Sequence, residues 1–154
     1  MKTLLFIFTF LLMTAFQNTD NIFKTEKIIF SKKEIGQKKI FYIDRPALYN
    51  INITHIRIFS GHGYGFQLLY SDTGKSTIYY TNDRYSVTPN HLNYKTIGMQ
   101  TFNRFDLRDT ILSGQQENGL YWKEIKKGNE FVGYLNIPIA DKVLFDKSLE
   151  TLRK

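Results

Sequence analysis

Apolar and polar residues alternate along much of this chain, and the alternation is most regular between residues 59 and 80. One run there has an apolar residue at every second position: Tyr64, Phe66, Leu68 and Tyr70. Because successive side chains of a strand point to opposite faces of a sheet, this spacing predicts a strand with one buried face. Turn residues at 60–63 and 71–74 flank the run, so the pattern predicts two hairpins that share it as their central strand.

Two further β-favouring runs precede this segment. Residues 22–30 and 40–43 are separated by a lysine-rich turn, which predicts a basic hairpin. Between this hairpin and the central strand, the two-residue period changes phase between Thr54 and His55. A strand absorbs such a change through a bulge or a break, and we expect one of these at that point.

The final third of the chain predicts a meander followed by a helix. Residues 110–116, 120–125 and 131–137 are strand-like and are joined by turns that contain glycine. The spacing then becomes helical, with Asp141 in the capping position after Pro138. One face of this helix is apolar and its end is cationic, through Leu144, Phe145, Leu149 and Leu152, then Arg153 and Lys154.

These elements predict an α+β fold, mainly antiparallel β-sheet with a C-terminal helix packed on one face. The segment 88–98 has the punctuation of a short helix or an ordered loop, since Thr88 and Pro89 open it and Gly98 closes it. A length of 154 residues without a repeat or a linker suits one domain. We therefore expect a single globular domain over residues 18–154.

Residues 1–17 are typical of a secretory signal peptide, with Lys2 at a short basic start, an uncharged apolar centre and Ala15 near the end. The apolar run stops at Gln17, too early for a spanning helix of about 20 residues. We expect cleavage near Gln17, with an uncleaved signal as the alternative. The chain also has no cysteine, which excludes disulfides, thiolate nucleophiles and cysteine zinc sites. An exported, cysteine-free chain rich in isoleucine, lysine and asparagine favours a bacterial envelope protein, and we expect it in the periplasm.

The charge is strongly positive. The net charge is +7, and loss of the signal, which carries Lys2 and no acid, lowers it to +6. Such an excess attracts nucleic acid, anionic lipid, acidic glycan or an acidic protein. For an exported protein nucleic acid is the least accessible of these, so we expect no nucleic-acid partner. The plainest interpretation is a basic solvated surface.

Three glycine-bearing patterns resemble known motifs, and turns explain each of them better. Gly74-Lys75-Ser76 has the ending of a phosphate-binding loop but not its beginning, because Leu69 stands where the first glycine is required. A phosphate-binding loop also leads into a helix, whereas the residues after Ser76 favour a strand. Asp72-Thr73-Gly74 is a single copy of the aspartic-protease triplet, and because that chemistry needs two such carboxylates, one copy would work only in a homodimer. The glycines at 61, 63 and 65 do not complete the dinucleotide-binding motif G-x-G-x-x-G, because Phe66 stands where its last glycine is required. No cofactor is expected.

His62 is the weak candidate that remains for catalysis or binding. It lies between Gly61 and Gly63 at a predicted hairpin tip, where an accessible imidazole serves as a general base or a ligand. The same glycines are what any tight turn requires. His55 and His91 do not share an element with it at ligand spacing, so no metal site is expected.

Other candidate side chains lie in the predicted meander. Three carboxylates are available for a glycosidase-type pair: Glu117, Glu124 and Glu130. They fall in or beside predicted surface hairpins, where charge is ordinary, and no G-x-S-x-G elbow for a serine nucleophile occurs. Tyr121 and Trp122 are adjacent and face opposite sides of one strand, so only one belongs to the core. The other, together with Lys123, is a candidate binding residue.

From Gly119 onward, the sequence GLYWKEIKKGNEFVGYLNIPIADKVLFDKSLETLRK resembles the ending of small exported bacterial proteins, mostly of unassigned function. Some of these are periplasmic immunity partners of antibacterial toxins. The resemblance implies a hairpin plus helix and assigns no functional residue. With the signal and the lack of a coherent catalytic set, it makes an envelope protein-binding module of the inhibitor or immunity type the leading hypothesis, with a toxin or an envelope enzyme as partner. The alternatives are a small periplasmic enzyme using His62 with a nearby carboxylate, and a glycan-binding or adhesion module with a row of exposed aromatic residues.

Overall fold

A computed structural model describes residues 22–57, 63–82 and 108–154, which hold eight strands and two helices. In chain order these are β1 (Phe23–Phe30), α1 (Lys32–Ile35), β2 (Lys39–Pro46), β3 (Ile51–Arg57), β4 (Tyr64–Tyr70), β5 (Thr77–Thr81), β6 (Thr110–Gln115), β7 (Tyr121–Lys127), β8 (Glu130–Ile137) and α2 (Lys142–Glu150). The predicted signal peptide, the segment 88–98, His62 and His91 lie outside these ranges. No helix within them has the length and apolarity needed to cross a membrane.

The strands form two antiparallel sheets. β1 and β2 make a two-stranded hairpin, and the other strands make a six-stranded sheet in the order β3-β4-β5-β8-β7-β6. The predicted pair of hairpins around β4 and the predicted meander β6-β7-β8 are both confirmed. The two groups join where β5 pairs with β8. The fold is therefore α+β, mainly antiparallel sheet with a C-terminal helix, as the sequence predicts.

The bulge predicted in β3 is wrong. β3 pairs with β4 in one unbroken register, from Ile51 opposite Tyr70 to Arg57 opposite Tyr64. The physical reason is that β3 lies at the edge of the sheet, and its residues 52–55 are all exposed. Because no buried face runs along this strand, its side chains need not keep an apolar alternation, and the change of phase requires no extra residue.

The main core lies between the six-stranded sheet and a layer made by the β1–β2 hairpin and α2. The sheet contributes alternate residues of β4, β5 and β8, and the covering layer contributes Ile28, Phe30, Phe41, Ile43, Phe145 and Leu149. The contacts are largely aromatic, with ring centroids of Phe41 and Tyr80 4.8 Å apart and those of Tyr70 and Phe145 5.1 Å apart. Full burial of one such side chain stabilises the fold by roughly 1.5–3 kcal/mol, so this layer dominates the folding free energy.

Polar contacts fix α2 on the hairpin. The Ser148 hydroxyl donates to the Asp44 carbonyl oxygen at 2.7 Å, and the Asp44 N–H donates to the Thr151 hydroxyl at 2.8 Å. Beyond the helix, Arg153 pairs with Tyr42 of β2 as an isolated bridge. Asp141 occupies the predicted N-cap position, but its backbone is already helical and its side chain makes no capping hydrogen bond. The helix is therefore held by packing rather than by its cap.

A second, smaller cluster lies on the opposite face of the sheet. Tyr79, Trp122 and Leu135 are buried there, and Leu112 of β6 packs against them. Two glycines make room for the large rings. A Cβ on Gly114 would lie 2.8 Å from the Trp122 indole nitrogen. A Cβ on Gly133 would collide in the same way with the ring and hydroxyl of Tyr79. The bulky side chains of β5 and β7 thus lie directly on the backbones of their neighbours.

We predict that Gly133→Ala destabilises the protein by roughly 1–3 kcal/mol, because the new methyl group would overpack the second cluster. The added Cβ would lie 2.5 Å from the Tyr79 hydroxyl oxygen and closer still to the Lys123 carbonyl oxygen. Urea unfolding measures the change in the free energy of unfolding.

Gly36→Ala is the matched control for this substitution. Gly36 has a φ of 76°, and no atom lies within 4 Å of the position that an added Cβ would take. Its cost is therefore backbone strain alone, roughly 1–2 kcal/mol, without the steric clash that Gly133→Ala adds. A Gly133→Ala protein as stable as the wild type would contradict the close packing on β8.

Candidate functional site

A cleft of about 520 Å³ opens on the main-core face of the sheet, between the strands β6, β7 and β8 and the C-terminal end of α2. We call it the basic cleft. Its apolar lining includes Tyr80, Ile111, Ile125, Val132, Leu149 and Leu152. Its charged lining is Lys123, Lys127, Arg153 and Lys154, with Glu130 and Glu150. Four cations and two carboxylates therefore line it directly.

The cleft exists because the covering layer is narrower than the sheet. α2 packs on β2 and β8, so the two strands beyond β8 are left without a helix above them. Ile111 of β6 lies opposite Ile125 of β7 in the antiparallel register, and both point into this open space. The Ile111 side chain is 63% exposed. An apolar floor at the edge of the sheet is thus open to solvent.

Most cations of the cleft have an acidic partner. The Lys123 ammonium donates to Asp146 at 2.8 Å, and the Arg153 guanidinium donates to Asp44 at 3.2 Å. Lys154 forms an ion pair with Glu130 inside the cleft. Lys127 is exposed and makes no ion pair with any residue in the described ranges. It is therefore the cation most available to an incoming ligand.

Asp146 of α2 connects the helix to the strand that carries Lys123. Besides Lys123, the Lys142 ammonium and the Tyr134 hydroxyl donate to its carboxylate, at 2.7 and 3.1 Å. Partial burial raises the pKa of Asp146, but the hydrogen bonds from Lys123 and Lys142 outweigh it and hold the pKa below its usual value. The carboxylate is therefore charged at neutral pH and keeps Lys123 in the wall of the cleft.

Tyr80 of β5 lies at the bottom of the cleft and is 1% exposed. Burial raises the pKa of its phenol, and nearby Tyr64 and Glu130 raise it further. Its hydroxyl finds no hydrogen-bond partner of normal geometry within the described part of the chain. At neutral pH this buried group is therefore uncharged and does not act as a base.

The opposite face of the sheet carries a buried polar group that the sequence analysis misjudged. Glu124 is 0% exposed, and the Tyr79 hydroxyl donates a hydrogen bond to its carboxylate. The expectation that Glu124 is an ordinary surface charge is therefore wrong. Lys126, also buried, lies on the same face and donates to the Arg108 carbonyl oxygen at 2.8 Å. Alternation alone would place Glu124 and Lys126 on a solvent-facing side of β7, but the second cluster and its surroundings bury that side.

The carboxylates considered for a glycosidase pair are not brought together. Glu124 points to the second cluster, whereas Glu130 lines the basic cleft on the other face of the sheet. Glu117 is exposed in the turn between β6 and β7. Because retaining and inverting glycosidases both need two carboxyl groups flanking one bond, these residues do not form such a site.

The predicted binding residues separate in the structure. Trp122 is 2% exposed and belongs to the second cluster, while Tyr121 is half-buried against the main core. Neither contributes to an exposed aromatic row. Lys123, the third predicted binding residue of this strand, lines the basic cleft, and Tyr121 and Trp122 do not. His62 lies outside the described residues, so its surroundings stay a prediction.

The remaining sequence motifs have structural roles. The Asp72 carboxylate accepts from the Ser76 N–H and from the Ser76 hydroxyl, both at 2.8 Å, which closes the turn between β4 and β5. His55 contacts Glu34 at 3.1 Å and stacks on Phe30. The Ser31 backbone and side chain, followed by His55, lower the pKa of Glu34 to about 2. Among described residues, no three His, Cys, Asp or Glu side chains are grouped to hold a metal ion.

Two exposed residues that line the cleft, Ile111 and Lys127, were not predicted from the sequence. The available signal was the composition of β6, a strand without a charged residue or a proline, which ends the sheet among the described strands. Which strand lies at an edge depends on the pairing of β5 with β8, distant in sequence, and no local pattern reveals it. Comparison with family models, curated proteins and solved structures finds no significant match to this chain.

We predict that Tyr79→Phe lowers the free energy of unfolding by roughly 1.5–3 kcal/mol, because it removes a hydrogen bond to a buried carboxylate. Tyr70→Phe is the matched control. The Tyr70 hydroxyl is buried and has no partner in the described ranges, so its removal should cost less than about 0.5 kcal/mol. Equal losses in the two variants, measured by urea unfolding, would contradict the role given to the Tyr79–Glu124 bond.

We predict a loss of stability in acid that depends partly on Asp146. A carboxyl group with a lowered folded pKa stabilises the fold above its unfolded pKa, near 3.9, and loses this effect as the pH falls through the folded value. Asp146→Asn should be less stable by about 1 kcal/mol at pH 7. Its stability should also fall less steeply below pH 4.

Urea unfolding between pH 7 and pH 2 measures both effects. Asp44 and Glu34 also have lowered pKa values, so the acid dependence should be reduced and not abolished. Glu150→Gln, which removes an exposed carboxylate without an ion pair in the described part, is the control. An unchanged acid slope in Asp146→Asn would refute the assignment.

Proposed function

We propose that this protein is an exported envelope module of the inhibitor or immunity type, which neutralises a toxin or an envelope enzyme by binding it directly. The basic cleft is its binding site. The observation that carries this proposal is that two exposed residues line one cleft, the apolar Ile111 and Lys127, which makes no ion pair within the described ranges. A contiguous apolar surface with a polar rim is a common mark of a protein interface, and here Ile111, Ile125 and Val132 line the cleft together.

The charge of the cleft indicates the chemistry of the partner. Four cations and two carboxylates line it, and the whole chain carries +7. An acidic surface would be attracted to this region, and such complementarity increases the association rate and the specificity more than the affinity. The apolar floor then supplies the affinity, by covering Ile111 and Ile125 with an apolar side chain of the partner.

The described residues favour binding over catalysis in this cleft. Its cations are mostly engaged in ion pairs, and its phenol, Tyr80, is held in the neutral form by burial. The acid with the most unusual environment, Glu124, lies on the other face of the sheet. A nucleophile paired with a base, as hydrolytic enzymes require, is not assembled from the described side chains of the cleft.

We predict that Lys127→Glu weakens binding to the partner by about tenfold or more, which corresponds to about 1.4 kcal/mol. The partner is obtained by affinity capture of the exported form from the periplasm of its own cells. The purified partner is then titrated against the wild type and the variant. If the partner is a toxin, the variant should also protect cells less well.

Lys33→Glu is the control with the same change of charge. Lys33 lies on α1, whose Glu34 contacts His55 of β3. β3 is the strand at the opposite end of the sheet from β6, so Lys33 lies away from the cleft. It should bind like the wild type. Equal weakening in both variants would mean that only overall charge matters. If no protein binds the exported form specifically and none is inhibited by it, the proposal fails.

A further inference from the structure

Among the described residues, β6 is a terminal strand of the six-stranded sheet. It pairs with β7 on one side and with no strand among the described residues on the other. Its sequence, TILSGQ, contains neither a charged residue nor a proline. Proteins normally protect such an edge with charges, prolines or bulges, because its free N–H and C=O groups pair readily with another chain. The other edge, β3, carries His55, which contacts Glu34 of α1.

The orientation of β6 is fixed by the second cluster. Leu112 packs against Trp122, and the indole of Trp122 lies over Gly114 so closely that even a Cβ would collide with it. A shift of β6 by one residue would move these positions to the other face, so the register is firmly held. β6 therefore presents its edge in one defined register.

The alternate residues of β6 point to the side of the basic cleft. Ile111, Ser113 and Gln115 are exposed, and Ser113 lies opposite Lys123 as Ile111 lies opposite Ile125. A strand added to β6 would lie about 4.8 Å beyond it, with every second side chain on the cleft side. Those side chains would be next to Ile111 and within the positive field of the cleft.

We propose that β6 binds an extended, acidic segment of the partner protein as an additional strand of the sheet. The backbone of this segment pairs with the free edge, an apolar side chain covers Ile111, and carboxylates on the same side interact with Lys127. This inference rests on the proposed function and specifies how the partner is bound. It is strand addition, in which main-chain hydrogen bonds supply affinity and alternate side chains supply specificity.

The charges favour an acidic partner over a second copy of this chain. Pairing of β6 with β6 of another copy would bring two cation-rich clefts together, on chains that each carry +7. Like charges across an interface oppose such pairing, whereas carboxylates of a foreign segment are attracted. The occupant that fits both the edge and the cleft is therefore an acidic strand.

The probe for this inference is a short synthetic peptide in which threonine alternates with glutamate, with one leucine in place of the central glutamate. Its glutamate and leucine side chains share one face, as the cleft requires. Amide hydrogen exchange of the exported protein is followed by NMR with and without peptide. We expect the outward-facing amides of β6 to exchange at least about tenfold more slowly with peptide, while those of β3 are unchanged.

Two N-methylated forms of the peptide identify the backbone contact, each methylated on one alternate set of amides. Only one set faces β6 in an added strand, so one form should lose binding and the other should keep it. Lys127→Glu should weaken the unmodified peptide by about tenfold, and Lys33→Glu should not.

Three results would overturn strand addition. The first is unchanged exchange of the β6 amides, both with the peptide and with the captured partner. The second is equal binding of both methylated forms. The third is protection of β6 that grows with protein concentration without peptide, which would identify a second copy as the occupant. Binding of the captured partner that depends on Lys127 would still uphold the proposed function in the first two cases.

Discussion

The structure depends on one strand that has no solvent-facing side. All five residues of β5, Thr77–Thr81, are buried, and none is more than 5% exposed. On one face, Ile78 and Tyr80 meet the hairpin and helix, and on the other, Tyr79 meets the second cluster. The Tyr79 hydroxyl donates to the Glu124 carboxylate on β7, so this buried phenol keeps a hydrogen bond that it would otherwise lose on leaving water. The same strand thus sets both the aromatic core and the buried polar contact beneath the meander.

The basic cleft follows from the position of β5 in the sheet. The covering layer is centred on the aromatic side chains of β4, β5 and β8, and it does not extend over β6. Ile111 is left exposed, and the cations around it remain close to solvent. A sheet that is wider than its cover produces an apolar margin with a charged rim. That margin, together with the edge of β6 that no other described strand covers, is the surface on which the proposed function rests.

Several features that escaped the sequence analysis had different physical causes. The turn between β1 and β2 contains α1, whose capping box of Ser31 and Glu34 and terminal Gly36 are readable in the sequence as S-x-x-E before a glycine. That signal was available. The burial of Glu124 was not, because it depends on a partner 45 residues away in the chain. The regular register of β3 was also hidden, since an edge strand lacks the buried face that makes alternation informative.

The sequence by itself determined the elements, because the period of apolar residues and the turn residues act over a few positions. Strict alternation placed Tyr64, Phe66, Leu68 and Tyr70 on one buried face, and the final helix packs Phe145 and Leu149 inward as its spacing predicts. Only the tertiary structure decided which strands meet. The pairing of β5 with β8 brings together distant segments, and it makes β6 an edge, buries Glu124 and opens the cleft. Those outcomes depend on which segments pair across the sheet, and local periodicity carries no information about that choice.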